Sequence, residues 1–283
     1  MNAVSMPNMR GKVALITGAS SGIGKATATH FVSLGCRSLS ITARNATALD
    51  GVAAQCVGNS DRGVEILVTT CDIRNGEAIS AIIKHTAEHL GRIDIVVNCA
   101  GSATIGRVGK IPLEEFDAEL NTNLRSVFHI TQQVLPYLKE TKGNIVNVSS
   151  IGTMRPVPGV ALSGIIKEAI DALTRLSAVE YAPYGIRVNS INPGPIETKM
   201  AFREEMNAQT QKMLRSQMEK SNLMGRIGTV EEAAHAIAFL ASDNASFITG
   251  HSLPVDGGTL LVGPITPKLA VKKGADQPTA ISN

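Results

Sequence analysis

The chain has 283 residues, with 27 basic and 24 acidic side chains, a formal charge of +3 and no tryptophan. Its basic residues are scattered, which excludes the dense basic stripe that nucleic-acid binding needs, and no apolar run approaches the ~20 residues of a membrane-spanning helix. Cys36, Cys56, Cys71 and Cys99 match no zinc or redox spacing and read as reduced, mostly buried thiols of a reducing compartment. The segment Met1–Arg10 has no apolar stretch of a secretory signal, so a cytoplasmic location is expected.

Strand and helix patterns alternate along the chain. Val13–Ile16 is a short apolar strand followed by the breaker Thr17-Gly18. A helix follows over Lys25–Leu34, stopped by Gly35. Next come a strand at Leu39–Thr42, a helix at Ala46–Gln55, a strand at Ile66–Val68 and a helix at Glu77–Leu90 stopped by Gly91. Ile93–Val97 is a fourth strand, Phe116–Glu140 one long helix and Ile145–Val148 a fifth strand. A helix from Gly164 to Tyr181, a strand at Ile186–Ile191, a helix at Glu231–Ala241 and a strand at Ser252–Val255 complete the series. Such alternation predicts an α/β fold with a mainly parallel sheet covered on both faces. No linker or repeat interrupts it, so residues 1–262 read as one domain and 263–283, which lack periodicity, as a loose tail.

The turn after the first strand reads Thr17-Gly18-Ala19-Ser20-Ser21-Gly22-Ile23-Gly24. Glycines there permit a tight turn and bring backbone N–H groups close to a pyrophosphate, with the positive end of the next helix behind them. A plain strand–helix turn is the alternative for a lone glycine cluster, but here a strand precedes and a helix follows. In such sites an acid about 20 residues further on binds the ribose 2′-hydroxyl of NAD. Ala43 and Arg44 stand there instead. Arg44 suits a 2′-phosphate, which favours NADP(H) over NAD(H); a solvated surface arginine is the alternative.

Further motifs follow in order: Cys71-Asp72-Ile73, Asn98-Cys-Ala-Gly101, Asn121-Thr-Asn123-Leu, Asn147-Val-Ser-Ser150, Ile186-Arg-Val-Asn-Ser-Ile-Asn-Pro-Gly194 and Val255-Asp-Gly-Gly258. With the glycine loop, this series resembles the short-chain dehydrogenases/reductases over roughly Lys12 to Gly258. The resemblance implies a Rossmann-type doubly wound parallel sheet of about seven strands with helices on both faces. It implies that Asp72 and Ile73 border the adenine, and that Asn98, Ala100 and Gly101 line the cofactor. Pro193, Gly194, Ile196 and Thr198 would hold the nicotinamide end. It also implies a homodimer or homotetramer packed through the helices at Phe116 and Gly164, and a small carbonyl or alcohol substrate.

Catalysis in this family rests on Asn, Ser, Tyr and Lys, the last two spaced Tyr-x-x-x-Lys on one helix face. The tyrosine protonates the carbonyl oxygen, and the lysine holds the nicotinamide ribose and lowers the tyrosine pKa. Asn123, Ser150 and Lys167 match three of these positions. The fourth, four residues before Lys167, is Ser163, and Ile166 replaces the usual serine. Tyr137, Tyr181 and Tyr184 lie too far along their helices to substitute, Tyr181 by roughly 27 Å. His129 falls on a different helix face from Asn123 and reads as structural or surface. A serine hydroxyl is a far weaker acid than a phenol, whose pKa is about 10.

Two functions follow. One is an NADP(H)-dependent oxidoreductase of a carbonyl/alcohol pair, with proton transfer impaired at Ser163. The other is a catalytically silent cofactor-binding protein of the same fold, a sensor or partner subunit. Residues Met200–Met224, where the family places a variable substrate lid, predict an amphipathic flexible segment, with a solvated surface helix as the alternative.

Overall fold

A computed structural model describes residues 7–60, 63–203 and 206–262; the tail predicted over 263–283 lies outside them. Seven parallel strands form one sheet: β1 (Val13–Thr17), β2 (Ser38–Ala43), β3 (Glu65–Thr70), β4 (Ile95–Asn98), β5 (Asn144–Val148), β6 (Arg187–Pro193) and β7 (Ser252–Val255). Their order is β3-β2-β1-β4-β5-β6-β7. Every residue of β1 and β4 is buried, as expected for strands covered on both faces.

Side chains alternate between two cores because successive residues of a strand point to opposite faces. Ala14, Ile16, Val97, Val146 and Ile191 join the core with Phe31, Leu49 and Ile237. Those three come from α1 (Gly22–Ser33), α2 (Ala46–Gly58) and α8 (Val230–Ala241). Leu15, Val96, Ile145 and Val188 join the opposite core with Ile83, Ile130, Val134 and Tyr181. That face is covered by α3 (Gly76–Leu90), α5 (Ser126–Thr141) and α6 (Ala161–Tyr181).

The strand order reverses between β1 and β4, the switch point where ligands bind at the carboxyl edge of such sheets. A continuous polar row marks that edge. Register pairs Thr69 with Thr42, Thr42 with Thr17, Thr17 with Asn98, Asn98 with Asn147, Asn147 with Ser190 and Ser190 with Ser252. Side chains tie parts of this row: Asn98 Nδ2 donates to Asn147 Oδ1 at 2.9 Å, and Asn147 Nδ2 to Thr174 Oγ1 on α6 at 2.9 Å.

The sheet and helices agree with the sequence reading, with one correction. Phe116–Glu140 is not one regular helix. It is α4 (Leu113–Leu120), a π-helical turn over Asn121–Arg125, and α5. The backbone stays in the right-handed region at Asn121 and Ser126, so the apolar rhythm passes through and hides the wider turn. Such π turns cluster at functional sites, and this one carries Asn123. Within Met200–Met224 the described helix is α7 (Ala208–Lys220), none of whose residues is buried. Arg215 ties it to Glu197 at 2.6 Å and lies over the Phe202 ring.

Candidate active site

The phosphate loop needs glycine at defined points. Gly18 has φ +68°, and a Cβ there would lie 2.6 Å from Ala100 Cα and 2.7 Å from its N. A Cβ on Gly24 would lie 2.4 Å from the Gly18 carbonyl oxygen. The loops after β1 and β4 therefore touch backbone to backbone, and Thr17 Oγ1 accepts from the N–H groups of Cys99 and Ala100 at 3.1 and 3.2 Å. Ser21, the N-cap of α1, is extended and makes no side-chain cap bond, and no acid stands in the first turn. The leading N–H groups of α1 thus face the glycine cradle, a disposition that suits an anion. Thr198 reaches this loop from beyond β6: its Cγ2 lies 3.7 Å from a Cβ position on Gly22.

Beyond the ends of β2 and β3 a cavity of about 240 Å³ is lined by Ala43, Arg44, Asp72, Ile73, Arg74, Gly101, Ser102, Thr104 and Glu119, among others. Arg74 donates to Asp72 through Nε at 3.0 Å and Nη2 at 2.6 Å. This clamp holds the Asp72 carboxyl down at about 2, with Arg44 adding to the effect. Arg74 was not among the residues expected from sequence; the cavity lining carries two guanidinium groups, Arg44 and Arg74, beside the carboxyls of Asp72, Glu115 and Glu119.

At the opposite end Gly194 N donates to the Val255 carbonyl at 3.0 Å, and a Cβ on Gly194 would sit 2.7 Å from Asp256 Cα. Pro193 is buried at the end of β6, and Ile196 pairs with Gly228 in an isolated bridge. Asn192 Nδ2 donates to the Ser150 carbonyl at 3.1 Å and to Asp171 Oδ2 at 2.7 Å. Asp171 is 2% exposed and also accepts from Ser190 Oγ at 3.0 Å. It stands one turn after Lys167 and joins α6 to β6. Sequence reasoning missed it; a charged residue on the buried Ile166–Ile170–Thr174 face of a helix was the available signal.

Asn123, Ser150, Ser163 and Lys167 occupy the four positions that the resemblance marks as catalytic. Lys167 Nζ donates to the Val148 carbonyl at 2.7 Å, and its nonpolar surroundings lower its pKa. Asn123 Oδ1 accepts from Ser102 N at 2.9 Å while Nδ2 donates to the Ser102 carbonyl at 3.1 Å. Gly101 is where these two meet: a Cβ there would lie 2.8 Å from Asn123 Oδ1 and 4.0 Å from Lys167 Nζ. Ser150 Oγ accepts from Gly152 N at 3.1 Å. Ser163 lies on α6 one turn before Lys167, partly buried.

None of the tyrosines reaches this cluster. Tyr181 donates to the Thr131 carbonyl at 3.1 Å inside the helix layer, and Tyr184 lies under Lys139 at 3.7 Å. Tyr137 packs at the edge of the same core. His129 packs its ring beside Gly76, 3.0 Å from a Cβ position there, in keeping with a structural role.

Known proteins match this chain in sequence and in fold. The family model described as Enoyl-(Acyl carrier protein) reductase matches residues 18–259. The 3-oxoacyl-[acyl-carrier-protein] reductase FabG of Thermotoga maritima is 36% identical over 256 residues, covering 89% of this chain and 99% of that protein. The chain belongs to the short-chain dehydrogenase/reductase family. Levodione reductase of Leifsonia aquatica is 33% identical over 264 residues, 91% of this chain and 98% of that one. A short-chain type dehydrogenase/reductase from Mycobacterium ulcerans superposes with a TM-score of 0.83 at 30% identity, covering 90% of this chain and 91% of its own. Among the described residues no helix is long and apolar enough to cross a membrane, and no group of side chains could hold a metal ion.

Proposed function

We propose that this chain is an NADP(H)-dependent oxidoreductase of a carbonyl/alcohol pair, slowed by the serine at its proton-donor position. The observation that carries this reading is the convergence of Asn123 Oδ1 and Lys167 Nζ on Gly101, beside a loop in which a Cβ on Gly18 or Gly24 would strike backbone. When bound, the cofactor supplies a hydride to the carbonyl carbon. Gly18, Ser20, Ser21, Gly22, Ile23 and Gly24 would hold its pyrophosphate against the start of α1. Arg44 and Arg74 would take a 2′-phosphate, and Asp72 and Ile73 would flank the adenine. Asn98, Ala100 and Gly101 would support the middle of the cofactor. Lys167 would hold the nicotinamide ribose, with Pro193, Gly194, Ile196 and Thr198 against the ring. Ser150 would polarise the substrate oxygen. The relatives' names, a 3-oxoacyl reductase and a levodione reductase, favour carbonyl reduction.

Cofactor preference is tested by calorimetry. Charge-assisted hydrogen bonds contribute about 1.5–3 kcal/mol each, so NADPH should bind roughly 10–100-fold tighter than NADH. Arg44→Asp should erase or reverse that ratio. Equal affinity in the unmodified chain would reject the NADP(H) preference, and failure to bind either nucleotide would reject the whole reading.

The chain is also proposed to be a homodimer or homotetramer. Ile165, Leu176 and Val179 on α6 are 56%, 63% and 75% exposed, and Phe128 on α5 is 54% exposed. Apolar side chains so grouped mark association surfaces. Light scattering should report a dimer or tetramer, and Val179→Glu should shift it toward monomer; a monomeric wild type would contradict this. A cytoplasmic location fits the thiols, since burial pushes Cys36 and Cys56 up to about 11 and keeps them unreactive.

A further inference from the structure

Four segments follow the carboxyl ends of β4, β5, β6 and β7, the strands beyond the switch point, and hydrogen bonds close them into a ring. The segment after β4 meets the one after β5 where Gly106 N donates to the Gly159 carbonyl at 2.8 Å, and Gly106 pairs with Val160 in an isolated bridge. The segment after β5 meets the one after β7 through Arg155, whose guanidinium donates to the Thr259 carbonyl. The segment after β7 meets the one after β6 where Leu223 N and Met224 N donate to the Gly257 carbonyl at 3.0 and 3.1 Å. Arg203 makes the last link, from the segment after β6 back to the Ala103 carbonyl after β4. Ser150 begins the β5 member of this ring, and Ser163 follows Val160 on the first turn of α6.

The ring is apolar where it meets water. Each member exposes large hydrophobic side chains: Ile105 and Val108 after β4, Met154 and Val157 after β5, Met224 after β6, and Leu261 after β7, which is 75% exposed. The turns after β1, β2 and β3 expose none and carry Arg44, Asp72 and Arg74 instead. Single exposed hydrophobic residues are ordinary, but a group confined to one rim marks a binding surface. This rim is separate from the apolar faces of α5 and α6 assigned to subunit association. Four guanidinium groups of the ring are already engaged, Arg155 and Arg203 by the carbonyls above, Arg215 by Glu197 and Arg226 by Glu232. They fasten segments together rather than await an anion. Arg107 and Lys110 are the cations of the β4 segment, which makes an anionic ligand the competing occupant.

We infer that this ring receives the hydrocarbon body of a bulky, uncharged carbonyl substrate. The inference rests on the oxidoreductase reading and names the substrate class for it. Its basis is continuity: the apolar rim runs directly into the segment that carries Ser150 and leads to Ser163. A ligand with its carbonyl oxygen at these hydroxyls has its remaining atoms against the rim, the usual division of a small-molecule site into a few polar anchors and an apolar wall. Methionine is flexible and adaptable, so Met154 and Met224 fit the rim to bodies of differing shape. A small polar or acidic carbonyl compound would leave these side chains in water.

Calorimetric titration of the NADP+ complex, which has no hydride to give, reads the inference without turnover. Across a homologous series of neutral alkan-2-ones, each added methylene should tighten binding roughly three- to fourfold until the rim is filled. A keto acid of equal length should bind about tenfold or more weaker, because its carboxylate would be placed against apolar surface. Met154→Gln combined with Met224→Gln should flatten the series; both side chains are exposed, so the core is untouched. Val57→Gln, an exposed position at the end of α2, should leave the series as it is. Affinity independent of chain length, or a keto acid that binds as tightly as the neutral ketone, overturns the inference. Reduction of ketones by NADPH without the chain-length trend overturns the inference alone. The trend without any reduction overturns the oxidoreductase reading and leaves an apolar ligand site on the ring, and a protein that binds no NADP+ overturns both.

Discussion

Ser163→Tyr is expected to raise the rate of NADPH-dependent carbonyl reduction by about 10²–10⁴, the usual contribution of a positioned general acid. That range corresponds to ~3–5 kcal/mol of barrier. The rest of the machinery awaits the phenol. Lys167 is fixed by its bond to the Val148 carbonyl at 2.7 Å, so its charge lies one helical turn from the new side chain and would lower the phenol pKa. Ser150 is set by Gly152 N and Asn192 Nδ2. Cofactor affinity should hardly change, because the resemblance gives residue 163 to the substrate and not to the cofactor. Steady-state assays over a panel of ketones and diketones measure the effect. An unchanged rate would mean that the proton already arrives efficiently by another route.

The second large effect is at Gly18. Its φ of +68° costs any other residue about 1–2 kcal/mol. A Cβ would also strike the backbone of Ala100 at 2.6 Å, where no flexible side chain can yield. Gly18→Val must therefore part the loops after β1 and β4, the crevice that the cofactor would cross. Each kcal/mol moves the melting temperature of a domain this size by roughly 2–4 °C. Gly18→Val should lower Tm by about 5 °C or more and abolish NADPH binding. Gly91→Ala is the control: its φ is +79° but nothing lies within 4 Å. That variant should lose a little stability and keep full binding. Equal behaviour of the two variants would show that backbone contact at the switch point is unimportant.

Much of this arrangement was legible in the sequence because the chemistry itself forces the residue types. A loop that approaches both another backbone and a phosphate needs glycine at 18 and 24, and only small residues fit. The Tyr-x-x-x-Lys spacing is fixed by the helix, so Lys167 identified its partner position even though Ser163 fills it. Strand alternation was readable because buried parallel strands are short apolar runs between breakers.

Other features left weaker signals. The π turn at Asn121–Arg125 keeps right-handed dihedrals and an apolar rhythm on both sides, so periodicity merges it with α4 and α5. Glu119 and Asp171 look like ordinary helical acids, and only the packing of loop 102–104 and of β6 reveals that they are enclosed. The Arg74 clamp on Asp72 depends on the turn after β3, which folds Arg74, a residue the sequence reading left unassigned, onto Asp72. For Glu119 and Asp171 the polar group is enclosed by tertiary contact rather than by its neighbours in the chain.

Single-turnover reduction is the most direct measurement of the central claim. NADPH bound to excess wild-type protein would be mixed with the ketone panel, and both cofactor oxidation and alcohol formation followed. The account predicts slow oxidation matched by an equal amount of alcohol, with the Ser163→Tyr variant doing the same far faster. Tight NADPH binding with no alcohol formed by either protein would contradict it and leave a cofactor-binding protein without this chemistry.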